Sequence, residues 1–128
     1  MVKICAVIRA KAGISREQFL HHWMVEHPSV VQALPGVRRY VQNPAIDNGR
    51  AWPFAGLAEV YFDSVKDIAI AFSSEQAVAM REHEKLFIGE MEWIIATEHL
   101  VPIHAEARGS DRSKPEPVQD PGEPRNLA

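Results

Sequence analysis

Two of the chain's six histidines fall on apolar helical stripes, where their chemistry has something to act on. His27 follows Trp23 by four residues and directly precedes Pro28, on a stripe of Phe19, Leu20, Trp23, His27, Val30, Val31 and Leu34. Two readings are open. It is a core side chain whose ring nitrogens meet backbone carbonyls freed at the proline, or it is a general acid/base. Histidine is the one side chain that ordinarily titrates near neutrality, and partial burial tunes it further. His83 lies three residues after Met80 and four before Phe87, and core or hinge packing is its plainer role. Tyr40 alternates with Arg38 and Gln42 along one strand face. That polar row is either solvated or lines a pocket, where the phenol would donate to a substrate oxygen. The plainer role is a tyrosine half buried at a dimer interface. Glu59 interrupts the apolar run from Leu57 to Phe62. A lone buried carboxylate costs on the order of several kcal/mol, so Glu59 is predicted to face a pocket or to pair with Arg38.

Other chemistries lack their residues. No metal site is expected: His21, His22 and His27 miss the i, i+4 spacing of helical zinc ligands. His22 and Glu26 have that spacing but lie on the polar side of the stripe. There is no Gly-rich phosphate loop, no G-x-S-x-G elbow and no G-x-G-x-x-G. Cys5 is the lone cysteine, which excludes an intramolecular disulfide and fits a reducing cytoplasm. The 128 residues carry 14 Lys+Arg against 17 Asp+Glu, a net charge of -3. With Arg38-Arg39 as the one tight basic pair in the body, no nucleic-acid footprint is present. The apolar start, Ile4 to Ile8, is too short for a secretion signal, and nothing approaches a membrane-spanning run. A soluble, cytoplasmic protein with no membrane partner is expected.

The elements that would hold these residues are legible from periodicity and punctuation. Val2 to Ala10 reads as a strand ending at Lys11-Ala-Gly13. Ser15 with Gln18 has capping-box spacing and opens a helix from about Arg16 to Leu34. Pro28 predicts a kink or a fresh start within it. Strands follow at Val37–Asn43 and Leu57–Phe62, with the Pro44–Phe54 loop between them expected to shape the pocket. Ser64 and Asp67 cap a helix through about Phe72, and Ser73-Ser74 begins another over Glu75–Ile88, closed by Gly89 at its C′ position. Met91 to Val101 is the last strand.

The order β-α-β-β-α-β implies an α+β, ferredoxin-like sandwich with a four-stranded antiparallel sheet. In strand one Ile4, Ala6 and Ile8 oppose Cys5 and Val7; in strand four Trp93 and Ile95 oppose Ile94 and Ala96. Two helical layers cover one face only, so the apolar second face predicts a homodimer packed sheet to sheet. Composition changes near Pro102: residues 104–128 hold four prolines, two glycines and nine charges, with no aromatic side chain. Residues 1–103 are therefore expected to be the domain and 104–128 a mobile or surface-draped tail.

The series Phe19-x3-Trp23-x3-His27-Pro28, then Pro35-Gly36, Arg39-Tyr40 and Phe87-Ile88-Gly89, resembles the EthD family of the dimeric α/β-barrel superfamily. The resemblance spans about residues 2 to 102. It implies a ferredoxin-like protomer that pairs with a second copy and holds a cleft between sheet and helices. A relative in that superfamily, a cofactor-independent isomerase of methyl-substituted muconolactones, uses a helix histidine in proton transfer. His27 matches that position, Tyr40 matches its strand tyrosine and His83 a histidine late in its last helix. Val60 departs from it, standing where the relative has a cysteine. The resemblance implies a small-molecule lyase, isomerase or decarboxylase with His27 and Tyr40 as catalytic residues and no cofactor. Trp23, Arg38, Gln42, Glu59 and His83 would bind substrate. The alternatives are a non-catalytic dimeric binding protein for apolar metabolites and a cofactor-free monooxygenase.

Overall fold

The computed structural model describes residues 1–104 of the 128-residue chain. The predicted tail, apart from His104, lies outside the described residues. Met1–Glu98 form one compact unit. Its strands are β1 (Val2–Ala10), β2 (Arg39–Pro44), β3 (Gly56–Phe62) and β4 (Ile88–Ala96). They form one sheet in the order β2-β3-β1-β4, every neighbouring pair antiparallel. The helices are α1 (Arg16–Leu20), a π turn (His21–Glu26), α2 (His27–Gln32), α3 (Val65–Phe72) and α4 (Glu75–Glu84). This is the ferredoxin-like β-α-β-β-α-β sandwich.

Strand alternation decides which side chains meet the helices. Ile4, Ala6 and Ile8 of β1 and Ala58, Val60 and Phe62 of β3 are buried on the helical side. One core cluster joins Ile4, Val60 and Phe62 to Val31, Leu34, Ile68 and Met80. A second joins Ile8 and Ala58 to Phe19, Trp23 and Phe87, and Tyr40 packs against both. The caps expected at Ser15 and Ser64 are present: Ser15 and Gln18 exchange both bonds of a capping box, and Ser64 Oγ accepts from the Asp67 N–H.

Several boundaries differ from the sequence reading. The last helix ends at Glu84, not Ile88, because Lys85, Leu86 and Phe87 turn on successive bonds to the carbonyls three residues back. Gly89 is therefore no helix cap. It is the extra residue of a β-bulge, skipped between the pairs Ala10–Ile88 and Arg9–Glu90. A Cβ there would stand 2.9 Å from the Ala10 carbonyl oxygen, which is why the bulge holds glycine. β4 consequently begins at Ile88 and stops at Ala96, leaving Leu100 and Val101 exposed beyond it. β2 begins at Arg39, two residues later than expected, since residues 37 and 38 follow the Pro35-Gly36 turn without strand geometry.

The second face of the sheet is mixed, more polar than the sequence reading has it. Cys5, Val7, Val41 and Leu57 make its apolar middle, while Lys3, Glu59 and Tyr61 occupy one end. Ile94 on β4 is 63% exposed there. No described helix is long and apolar enough to cross a membrane.

Gly56 opens β3 directly beneath the fully buried Trp23 ring, and an added Cβ would lie 2.6 Å from two ring carbons. Backbone on the other side, the Asn43 carbonyl at 2.9 Å, blocks escape. Gly56→Ala is expected to destabilise the fold by about 1–3 kcal/mol, read as a lower urea midpoint with the helical circular dichroism retained.

Candidate active site

The site is built around a change of helical register. At the end of the π turn the His27 N–H bonds to the His22 carbonyl, five residues back. The next donor in that register would be the N–H of residue 28, aimed at the Trp23 carbonyl, and residue 28 is proline. The Trp23 carbonyl instead accepts from Gln42 Nε2 at 2.6 Å. The same Nε2 donates to the Tyr40 hydroxyl at 3.0 Å. A missing backbone donor thus recruits Gln42, and Gln42 in turn fixes the phenol. Because the Tyr40 oxygen accepts from Gln42, its own proton is free to be donated elsewhere. Burial, with the nearby Glu84 charge adding to it, pushes the Tyr40 hydroxyl above its ordinary value and keeps that proton in place near neutrality.

The wider turn also brings residue 27 beneath residue 22, so Glu26 and His27 both reach His83 on α4. His27 Nδ1 and His83 Nδ1 are 2.8 Å apart. The ring planes differ by 16° with centroids 5.0 Å apart, so the imidazoles meet edge to edge and not face to face. His83 Nε2 lies 3.1 Å from Glu26 Oε1, which also meets His22 Nδ1 at 2.7 Å. Hydrogen bonds from His22 and then His83 hold the Glu26 carboxyl at about 2, so it is an ionised acceptor. The proton positions follow. His83 carries a hydrogen on Nε2 toward Glu26; its Nδ1 is then an acceptor when the ring is neutral. With both rings neutral, the network assigns the shared hydrogen to His27 Nδ1, which leaves His27 Nε2 without a hydrogen. That bare nitrogen is 3.7 Å from Glu84 Oε2, a carboxylate placed to stabilise the ring once Nε2 takes a proton. His27 itself is 3% exposed, with Phe87 edge-on at 5.1 Å.

Trp23, His27, Tyr40 and Glu84 border a cavity of about 510 Å³ between the helices and the sheet. Its wall is formed by Ile4, Ala6, Ile8, Trp23, Val60 and their apolar neighbours, with His27, Tyr40, Arg81 and Glu84 as polar points. Met91, Trp93 and Ile95 of β4 line it and remain 40–57% exposed, so the cavity opens along that strand. An apolar chamber with few convergent polar groups is the ordinary form of a small-molecule site.

The EthD domain model matches residues 11–90. The chain belongs to the EthD family. Among solved structures similar to this EthD chain is an ethyl tert-butyl ether D (EthD) family protein from Bacillus halodurans, at 20% identity and a TM-score of 0.66 over 77% of this chain and 99% of that one. A dimeric protein of unknown function and ferredoxin-like fold from Bacteroides fragilis matches at 15% identity and a TM-score of 0.58, covering 73% and 92% of the two chains. SnoaB, a cofactor-independent oxygenase from Streptomyces nogalater, matches at 8% identity and a TM-score of 0.59, covering 78% and 94%. At these identities the structures share the fold. No curated protein matches the sequence.

On this EthD domain, Trp23, His27 and Tyr40 line the cavity, while Gln42 and His83 stand behind Tyr40 and His27 as positioning residues. Arg38 and Glu59 do not reach it. Arg38 precedes β2 and pairs with Asp63 at 2.8 Å on the surface. Glu59 shares the alternate phase of β3 with Leu57 and Tyr61, which places it on the sheet's second face, bound to Lys3 at 2.6 Å and to Asn43. The Pro44–Phe54 loop is likewise absent from the cavity wall, with Ile46, Trp52 and Phe54 gathered near Val7 and Leu57 of the second face. Two contributors are not expected at the site from sequence: Glu26, which the spacing pairs with His22 on the polar side of the stripe, and Glu84. Glu84 follows His83, and Glu26 precedes His27. Their signal is adjacency to a stripe histidine, which an ideal helical wheel turns toward solvent and the π turn turns back.

The second-face cluster gives a pH signature independent of the cavity. Hydrogen bonding from Lys3 holds the Glu59 carboxyl below the usual carboxylate range, and Glu59, then Glu98, hold the Lys3 ammonium above its ordinary value. A depressed carboxyl stabilises the fold above its unfolded pKa and loses this as pH falls through the folded one; a raised ammonium stabilises below its unfolded pKa and loses it as pH rises. The pair is therefore expected to contribute across the neutral plateau and to fade at both ends. Lys3→Met should lower the melting temperature most between about pH 5 and 9 and least near pH 3, as read by calorimetry.

Proposed function

We propose that this protein is a cofactor-independent lyase, isomerase or decarboxylase that moves a proton next to the carbonyl of a small aromatic, lactone or polyketide-like compound. The observation that carries this reading is the edge-to-edge pair of His83 and His27, which leaves His27 Nε2 bare at an apolar cavity. His27 would take the proton from the carbon beside the carbonyl, and the electron pair would move onto the carbonyl oxygen. Tyr40, held by Gln42, would donate to that oxygen as charge develops. Glu84 beside Nε2, and Glu26 through His83, would stabilise the imidazolium until the proton is returned. The cavity's apolar wall excludes water and suits a ring system.

The test is hydrogen exchange in heavy water across a panel of lactones and aromatic ketones, read by mass spectrometry. His27→Ala should lower exchange by about 10²–10⁴-fold with the circular dichroism unchanged, and His83→Ala should lower kcat more than it raises KM. Exchange at the wild-type rate in folded His27→Ala overturns the assignment. The nearly all-apolar wall favours a second reading, a metabolite-binding protein, which predicts saturable binding without product. The fold likeness to SnoaB adds an oxygenase arm, read as oxygen uptake with a phenolic substrate.

We further propose that two copies assemble. Trp93 and Ile95 along the cavity mouth and Ile94 on the second face leave apolar side chains in water on both sides of β4, and the dimeric Bacteroides relative shares the fold. The lone Cys5 on the second face fits a reducing, cytoplasmic setting. Light scattering is expected to give twice the chain mass, and Ile94→Asp should convert it to monomer; a wild-type monomer at micromolar concentration sinks the assembly.

A further inference from the structure

We propose that His22, Glu26 and His83 bind one divalent transition-metal ion of the zinc type. The site stands on geometry alone and does not depend on the acid/base reading of His27. His22 Nδ1, Glu26 Oε1 and His83 Nε2 lie within 4.8 Å of one another. Two of the separations are 2.7 and 3.1 Å. Donors about 2.1 Å from a tetrahedral zinc stand about 3.4 Å apart, so the ion enters by modest spreading of existing contacts. Two imidazoles and one carboxylate select zinc-like ions over calcium or magnesium.

The ligands are also held. His22 and Glu26 come from the π turn and His83 from α4, and the His22 ring lies nearly parallel to Phe87 at 6.2 Å. His83 Nδ1 is engaged by His27, the kind of support that orients a ligating imidazole. All three residues are partly exposed, so the ion has a path from solvent. Among the described residues no fourth side chain joins this cluster, so solvent would complete a tetrahedral site.

The experiment titrates the full chain with zinc against a chromophoric chelator. One ion per chain is expected, with binding weakened at least about tenfold in His22→Ala and in Glu26→Gln. His27→Ala removes the partner of His83 Nδ1 and should weaken binding by less than either ligand variant; no arm of this titration depends on the catalytic reading. Cobalt substitution of the unmodified chain should give the intense visible bands of a four-coordinate site, a readout that needs no variant. The site is overturned by absence of saturable uptake, or by wild-type affinity in both ligand variants, the behaviour of adventitious surface histidines.

Discussion

One absent hydrogen-bond donor organises the whole site. Pro28 cannot supply the N–H that the π register directs at the Trp23 carbonyl, and a buried carbonyl left bare costs about 1–3 kcal/mol. Gln42 supplies the bond from the sheet, at 2.6 Å, and so ties helix to strand at the one place where the helix is irregular. The polar groups that the strand and the turn bring to the cavity, Tyr40 and His27, lie on either side of that tie. Tyr40 takes its orientation from Gln42, and Trp23 and His27 take theirs from the turn. The irregularity therefore serves as the positioning device, in keeping with the frequent occurrence of π turns at functional sites.

Two faces of one sheet divide the remaining work. On the helical face, small and branched residues of β1 and β3 leave a chamber that Trp23 and His27 border from the helical side. On the second face, Lys3, Glu59, Tyr61 and Glu98 satisfy one another through short bonds. The alternation of period two keeps these sets apart, so the carboxylate that interrupts β3 is a surface ion-pair partner and no part of the cavity.

Much of this was legible in the residues. The strand pattern, both side-chain caps and the Trp23–His27 stripe follow from periodicity, and they place His27 and Tyr40 on the faces they occupy. Glu59 was misread because a charge in an apolar run says that it has a partner without saying which. Its partner, Lys3, is 56 residues away in sequence and becomes a neighbour through the β1–β3 register alone. Glu26 was misread for a different reason. An ideal wheel assigns it to solvent, and the extra residue in the π turn rotates it toward α4. The pairing of His27 with His83 needs that same rotation plus the docking of α4, neither of which is written in local spacing.

The bulge at Gly89 has a further consequence for β4. Beyond it, Met91, Trp93 and Ile95 face the cavity and Glu92 and Ile94 face away. That assignment is a phase, and the inserted glycine sets it. Were Gly89 to pair with Arg9 in unbroken register instead of bulging out, every later residue of β4 would shift by one: Glu92 would enter an apolar chamber, and Trp93 would leave it for the opposite face. The chemical character of the chamber's open side is thus encoded by whether one glycine bulges or pairs, as much as by which residues the strand contains.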